Sequence, residues 1–325
     1  MLETKELSTP TLALAPMAGI TDWIFRLLCF EQGCNIAFTE MISGLGYLCA
    51  PESNRGNREI LTVHPQEGDV KLQVFGKEPE YIAQGAKQIL DKQSFSGVDI
   101  NMGCPARKIA SKGEGVGLMK TPDLAEKIVK ATCKSVSVPV SVKIRLGWDN
   151  DTINALSFAK RMADSGAASI TVHGRTKEQG YSGKADWETI GLIKSAVSIP
   201  VFLNGDIVNG STAVKALQVS KCDGLMIGRG AFGNPWIFQE IDCAFSHTEY
   251  ETPTVSKKIE TALRHAKLMI EWKGEKHGII EMRKHIGWYL SGVRNSSLIR
   301  QKVNSTQEFC QLEDILLQYE QFSCQ

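Results

Sequence analysis

Eight short apolar runs alternate with amphipathic helical stretches over residues 12–240, and this alternation constrains the fold more than any other feature. The runs lie at 12–15, 36–39, 71–75, 97–100, 140–144, 169–172, 201–203 and 224–227. They are rich in β-branched residues and apolar on both faces, which is typical of parallel strands buried on both sides. Eight strands that alternate with helices predict an α/β fold, a (β/α)8 TIM barrel. The alternative, a doubly wound open sheet, requires a glycine-rich turn after the first strand, and residues 16–19 do not provide one.

The carboxyl ends of the strands form the active site in barrels of this kind. In this chain, every predicted strand ends in polar or conformationally permissive residues. These are Pro16-Met17, Glu40, Gln73, Asn101 with Cys104, Lys143 with Arg145, His173 with Arg175, Asn204-Gly205-Asp206 and Gly228-Arg229. A lone histidine or lysine would more often have a structural role. Polar residues at all eight ends together indicate one ligand surrounded by loops.

The last two strand ends have the composition of a phosphate site. Gly205 and Gly228 let backbone N–H groups approach an anion, and Arg229 adds positive charge. Gln73 and Asn101 can hydrogen-bond a flat heteroaromatic ring. Lys143 can place a positive charge near the part of that ring that becomes anionic on reduction. These residues predict FMN as the ligand, with a substrate sugar phosphate as the alternative.

Cys104 lies just past the fourth predicted strand, held between Gly103 and Pro105. Ordinary thiols are mostly protonated at neutral pH, which suits a proton donor better than a nucleophile. The alternative is a buried structural cysteine, the commoner situation for a free thiol. Glycines at 113, 115 and 117 follow no strand, and we interpret them as a mobile loop rather than a dinucleotide site.

Seven segments around these residues resemble the tRNA-dihydrouridine synthases, in that family's order and at fitting spacing. They are Pro16-Met17-Ala18-Gly19-Ile20-Thr21-Asp22, Gln73-Val74-Phe75-Gly76, Asp99-Ile100-Asn101-Met102-Gly103-Cys104-Pro105, Lys143-Ile144-Arg145, His173-Gly174-Arg175-Thr176, Asn204-Gly205-Asp206-Ile207 and Gly228-Arg229-Gly230. The resemblance covers residues 12–240, and the bacterial B-type subfamily is the nearest.

The resemblance implies an FMN enzyme that uses NADPH to reduce the C5=C6 bond of specific uridines in tRNA. Cys104 would be the general acid, protonating C5 on the face opposite the flavin, whose N5 atom would give hydride to C6. The residues implied to hold FMN are Pro16, Met17, Ala18, Gln73, Lys143, His173, Asn204, Gly205, Asp206, Gly228 and Arg229. The residues expected to contact the substrate are Asn101, Arg145, Arg175, Arg283, Lys284 and Arg294.

The remainder of the chain has a different composition. Residues 246–256 are polar and are interpreted as a linker, and helical patterns follow. Residues 257–302 contain eleven Lys or Arg and four acidic residues, against a net charge of +1 for the whole chain. A basic stretch with aromatic residues suits an RNA backbone, although a solvated helical face is the alternative. We therefore predict a catalytic FMN-binding barrel over 1–245 and a small helical tRNA-binding domain over 246–325.

Several classes of protein are disfavoured. The nine cysteines include no CxxC pair, so we expect neither a metal site nor a disulfide framework. No apolar run is long enough to span a membrane, and we expect a cytoplasmic monomer. Two other functions stay open: an FMN barrel oxidoreductase acting on a free small molecule, and a non-catalytic RNA-binding protein. The basic tail disfavours the first and the intact Cys104 the second. The sequence does not indicate which tRNA position is reduced.

Overall fold

The computed structural model describes residues 9–50 and 55–323, and their core is a closed parallel sheet. Its strands are β1 (Thr11–Leu14), β2 (Ile36–Phe38), β3 (Ile42–Ser43), β4 (Asp69–Phe75), β5 (Val98–Met102), β6 (Val140–Arg145), β7 (Ser169–His173), β8 (Val201–Asn204) and β9 (Gly224–Ile227). Each of the eight predicted runs coincides with a strand to within two residues. The two-residue strand β3 is the one addition to the prediction among the described residues.

The sheet closes on itself. Strand β1 pairs in parallel with both β2 and β9, and β2 also pairs with β4, so that eight strands form a ring. Strand β3 lies outside the ring, beside the carboxyl end of β4. Closure confirms the predicted (β/α)8 barrel and excludes the doubly wound open sheet, because an open sheet has two unpaired edges.

Strand alternation decides which side chains enter the barrel. Along β4 to β8, residues of one parity, such as Leu72, Ile100 and Val142, pack outward in the core that the strands share with the helices. Residues of the other parity therefore point inward. On β1, β2 and β9, the residues Ala13, Phe38 and Met226 form a separate small apolar cluster. At the carboxyl end the inward-pointing residues are polar, which places that polar layer inside the mouth of the barrel.

Ten helices and two short 3₁₀ segments connect or flank the strands in the described part of this region. The helices are α1 (Trp23–Phe30), α2 (Gly44–Cys49), α3 (Arg55–Leu61), α4 (Pro79–Leu90), α5 (Arg107–Ala110), α6 (Pro122–Ser135), α7 (Ala155–Asp164), α8 (Trp187–Ala196), α9 (Gly210–Ser220) and α10 (Ile237–Ser246). The 3₁₀ segments are Gly115–Lys120 and Arg229–Ala231. The glycines predicted as a mobile loop lie in and before the first of these, whose residues 115–119 are buried.

The C-terminal region is helical, as predicted. It contains α11 (Val255–Lys273), α12 (Glu275–Tyr289), α13 (Ser296–Ser305) and α14 (Phe309–Ser323). Thr254 caps α11 through a hydrogen bond from the backbone N–H of Lys257. Gly274, with φ of +81°, turns the chain directly from α11 into α12. None of the helices in the described ranges is long and apolar enough to cross a bilayer.

The tail packs on the barrel through a shared core. Trp23, Ile24 and Leu27 of α1 are in one apolar cluster with residues of all four tail helices, including Ala266 and Ile286. At the edge of this contact, Arg264 of α11 pairs with Glu31 at 2.5 Å. The burial of α1 side chains under the tail makes the two regions one packed unit.

Candidate active site

A cleft of about 910 Å³ opens at the carboxyl ends of the barrel strands. Fourteen of the residues proposed from the sequence line it: Pro16, Met17, Ala18, Gln73, Asn101, Cys104, Lys143, Arg145, His173, Asn204, Gly205, Asp206, Gly228 and Arg229. Arg175 does not line it, and Arg283, Lys284 and Arg294 lie in the tail. The barrel thus brings together side chains that are up to about two hundred residues apart in the sequence.

Cys104 is half-buried at the end of β5. Its backbone N–H and that of Gly103 both donate to Oδ1 of Asn101, at 2.8 and 3.2 Å. Its carbonyl accepts from the N–H of Val116 at 3.2 Å. A Cβ at Gly115 would lie 3.0 Å from Cβ of Cys104, so glycine is needed there. The backbone of Cys104 is thus held by hydrogen bonds at both its N–H and its carbonyl, and the residue lines the cleft.

Lys143 extends from β6 into the cleft, where Nζ donates to Oδ1 of Asn204 at 3.1 Å. Asn204 is held in turn by donating to the carbonyl of Met226 at 2.8 Å. Burial, together with the nearby positive charge of Arg145, lowers the pKa of Lys143 to about 8. The amine is therefore mostly protonated at neutral pH, and it loses its charge as the pH rises through about 8.

His173 is the last residue of β7 and is almost fully buried. Burial and the surrounding cations, Lys143 foremost, hold the pKa of its imidazole far below the usual range, so the ring is neutral. Its Nδ1 has no hydrogen-bond partner among the described residues. That nitrogen is itself buried, so a ligand in the cleft could meet only the other edge of this neutral ring, where His173 lines the wall.

The ends of β8 and β9 form the part of the cleft predicted to take a phosphate. Gly205 has φ of +124°, and an added Cβ would lie 2.8 Å from that of Ala185. Arg229 is half-exposed, with its guanidinium 4.4 Å from the ring centre of Tyr181 and 3.6 Å from Asp206. Its exposure leaves the guanidinium accessible to an anion.

The loop after β7 is held by three charged residues whose side chains are already hydrogen-bonded. They are Arg145, Arg175 and Asp206. Arg175 is buried and pairs with both oxygens of Asp206, at 2.7 and 2.8 Å. It also donates to the carbonyls of Ser182 and Gly183.

Arg145 contributes to the same framework from the neighbouring strand. Its guanidinium donates to the carbonyl of Gly103 at 3.1 Å and to those of Thr176 and Gly180 at 2.8 and 3.0 Å. The loop after β7 is thereby fastened to the strand end that carries Cys104.

Sequence reasoning missed several residues of this cleft. The loop after β7 contributes Lys177 and Tyr181, and Met41 and Phe232 line other walls. Tyr181 is well exposed between Gly180 and Gly183. The sequence does contain a sign of Tyr181, because an aromatic residue lies between glycines soon after a strand end.

The three tail residues predicted to contact substrate lie in different surroundings. Lys284 donates to the carbonyl of Gly19, at the rim of the cleft. Arg283 donates within the tail, to the carbonyl of Thr306 at 2.8 Å. Arg294 is exposed at the turn after α12. Near Lys284, the cleft residue Phe232 stacks on Trp288 with 4.3 Å between ring centres.

Comparisons with known proteins agree with this geometry. The family described as Dihydrouridine synthase (Dus) matches residues 13–322. The "Probable tRNA-dihydrouridine synthase" of Rickettsia bellii is 39% identical over 97% of this chain and 95% of its own length. The "tRNA-dihydrouridine synthase B" of Vibrio cholerae is 39% identical over 95% of each. Among solved structures, a variant of NCR from Zymomonas mobilis has a TM-score of 0.50 at 17% identity, over 76% of this chain and 90% of its own, which supports the fold alone.

Proposed function

Because this chain belongs to the dihydrouridine synthase family, we propose that its cleft binds FMN, that NADPH is the reductant, and that Cys104 protonates the substrate. The enzyme is a flavin-dependent oxidoreductase that converts uridine in tRNA to 5,6-dihydrouridine. The cleft at the barrel mouth, with a thiol on one wall and cations on the others, is the observation that carries the finer proposals.

FMN fits the residues that line the cleft. Arg229 and the glycine-containing ends of β8 and β9 would take its phosphate. Lys143 and His173 would face the ring, since both line the cleft. A bound flavin supplies the hydride that saturates the uracil ring. The protein would supply a cation, Lys143, and a negative charge on the reduced ring would offset the burial that lowers the pKa of this amine.

Cys104 would give its proton to C5 of the uracil, so that the ring gains one hydride and one proton in total. Its half-burial and fixed backbone suit a group that must reach one atom of the substrate. Arg145 and Arg175, expected from the sequence to contact substrate, would act by holding the loop that carries Tyr181. Asn101, also expected to contact substrate, would hold the turn that carries Cys104 by accepting hydrogen bonds from its backbone.

The tail would bind the tRNA around the target nucleotide. A uridine within a folded RNA must be turned out of its stack to reach a barrel mouth, which requires a grip on the surrounding backbone. Lys284 stands at the cleft rim and Arg294 is exposed farther along the tail. An enzyme that reduces a free pyrimidine would need neither of these cations, so their presence favours a tRNA substrate over a small molecule.

The test is Cys104→Ala, with Cys310→Ala as a matched control because Cys310 is exposed in α14. We expect Cys104→Ala to retain FMN and NADPH oxidation but to form dihydrouridine about a hundred- to ten-thousand-fold more slowly, the usual cost of losing a general acid. Dihydrouridine is quantified in tRNA by mass spectrometry, with free uridine as a second substrate. Wild-type rates from Cys104→Ala would refute the role of the thiol, and faster turnover of free uridine than of tRNA would refute the tRNA assignment.

A further inference from the structure

A buried carboxylate lies beneath the wall of the cleft that carries Cys104. Asp99 is on β5 with no exposed surface, and its side chain points into the barrel. Its Oδ2 accepts from Nε2 of Gln73 at 2.8 Å, and its Oδ1 accepts from Oγ of Ser141 at 2.6 Å. Asp99 does not line the cleft, so it is not expected to touch a ligand.

The hydrogen bonds continue from Asp99 to the backbone of Cys104. Oε1 of Gln73 accepts from Nδ2 of Asn101 at 3.0 Å. Oδ1 of Asn101 accepts the backbone N–H groups of Gly103 and Cys104. We call Asp99, Gln73 and Asn101 the amide relay. All three side chains are more than nine-tenths buried.

The two ends of the relay have fixed hydrogen-bond polarity. An ionised carboxylate only accepts and a backbone N–H only donates, whereas each amide between them could turn either way. Asp99 requires Gln73 to present its NH₂ group, so the oxygen of Gln73 faces Asn101. Asn101 must then present its NH₂ to Gln73 and its oxygen to the turn at Cys104. Both ends therefore select the same orientation of both amides.

Both carboxylate oxygens of Asp99 accept hydrogen bonds despite its burial. Burial raises the pKa of the carboxyl, and the hydrogen bonds from Ser141 and Gln73 and the charge of Lys143 oppose this rise without cancelling it. The charged form is thus hydrogen-bonded on both oxygens, which is the condition for keeping a buried carboxylate.

We propose that Asp99 is a positioning residue for uridine reduction, acting through the amide relay to hold the backbone of Cys104 in the orientation that aims its thiol at the substrate. The proposal rests on the proposed function, because it concerns the proton donor of that reaction. It assigns the main effect of Asp99 to the half of the reaction in which uracil is protonated rather than to NADPH oxidation.

The variant to test is Asp99→Asn, which keeps the shape of the side chain. An asparagine can present either its oxygen or its NH₂ to Gln73. In the second case both amides reverse, and Asn101 then places an NH₂ group against the N–H of Cys104. We expect dihydrouridine formation in single turnover to slow about tenfold, as for a lost charge-assisted hydrogen bond.

The control is Ser141→Ala, which removes the other hydrogen bond of Asp99 and leaves the bond to Gln73. We expect its rate to stay within about twofold of wild type. Flavin content and NADPH oxidation without RNA should be unchanged in Ser141→Ala. In Asp99→Asn, whose partner Gln73 also lines the cleft, NADPH oxidation should slow much less than uridine reduction. Equal slowing of NADPH oxidation and of uridine reduction by Asp99→Asn would overturn the proposal, because residue 99 would then act on the flavin.

A double-mutant cycle separates positioning from general damage. If Asp99 acts through the thiol, Asp99→Asn should slow the enzyme little further in a Cys104→Ala background, since no thiol is left to aim. A tenfold loss in both backgrounds would overturn the proposal. An inactive wild-type protein would instead overturn the proposed function.

A readout that needs neither cofactor nor tRNA completes the test. The alkylation rate of Cys104 by iodoacetamide in the apoprotein is followed by peptide mass spectrometry. We expect faster alkylation in Asp99→Asn, because the turn that half-buries the thiol loses its hydrogen bonds, and a wild-type rate in Ser141→Ala. Equal alkylation rates in all three proteins would show that Asp99 does not hold the turn.

Discussion

Gly233→Ala should loosen the tail from the barrel. Gly233 follows the cleft residue Phe232 and has φ of +61°. A Cβ there would overlap the backbone at the junction of Trp288 and Tyr289 and would lie 2.6 Å from the Trp288 carbonyl oxygen. Because the obstacle is the backbone of α12 rather than a flexible side chain, the helix has to move.

The expected cost has two parts. Placing alanine at a left-handed φ costs about 1 to 2 kcal/mol. Overpacking a tight contact costs about 1 to 3 kcal/mol more. The sum is about 2 to 5 kcal/mol, which should lower the melting temperature by about 4 to 10 °C in a chain of this size.

Gly292→Ala is the matched control, because Gly292 is in the tail with φ of +78° and an added Cβ would meet nothing within 4 Å. It should carry the left-handed cost alone and lower the melting temperature by about 2 to 4 °C. The assay is thermal unfolding followed by circular dichroism, with tRNA affinity measured in parallel. Gly233→Ala should also weaken tRNA binding, whereas Gly292→Ala should not. Equal melting temperatures for the two variants would refute the docking of α12 against residues 232–233.

Two further predictions follow from titrating groups. Since the pKa of Lys143 is about 8, its charge is lost as pH rises through that value, and we expect flavin reduction by NADPH to slow above about pH 8. Lys143→Met should be slow at every pH, and a wild-type alkaline limb in that variant would exclude Lys143 as its cause. His265 is buried beside Phe25 and Tyr289, and burial lowers its pKa to about 3. The unfolded chain binds a proton at this histidine below about pH 6.5 and the folded protein does not, so stability should fall as pH drops from 6.5 towards 3. The loss attributable to His265 at pH 5 is at most about 2 kcal/mol. His265→Gln should show a flatter stability profile in denaturant titrations between pH 7 and 5, and an unchanged slope would contradict this linkage.

The barrel was predictable because its signal is local and repeated. Each strand is a short, mostly apolar run, and polar or conformationally permissive residues lie at the carboxyl end of each. Strand parity then places Gln73, Asn101, Lys143 and His173 in one mouth without knowledge of any long-range contact. For the same reason, 14 of the 18 proposed site residues line the cleft.

The features that the sequence did not reveal depend on side-chain contacts between residues that are distant in the chain. Arg145 and Arg175 occur at strand ends like substrate-binding residues, and only the folded loop shows that their guanidinium groups are occupied by carbonyls and by Asp206. Asp99 lies within a strand, where the sequence gives no sign that Gln73 would meet it. The contact between the tail helices and α1 residues such as Trp23 was likewise not evident from the sequence.

The basic stretch of the tail is also less available to RNA than its composition indicated, and this leads to a final prediction. Lys257 and Lys267 pair with Glu260 and Glu313, whereas Arg294 and Lys302 are exposed and have no such partner among the described residues. A cation already paired with a carboxylate gains less from a phosphate, because it must give up that partner. Replacing Arg294 and Lys302 with glutamine should therefore reduce the slope of log affinity against log salt by about 2, at about 0.9 per phosphate contact. Replacing Lys257 and Lys267 removes the same charge and should change the slope by much less than 1. The test is tRNA binding by the two double variants across a salt series. Identical slopes of log affinity against log salt would contradict the prediction and would mean that the tail acts only through its net charge.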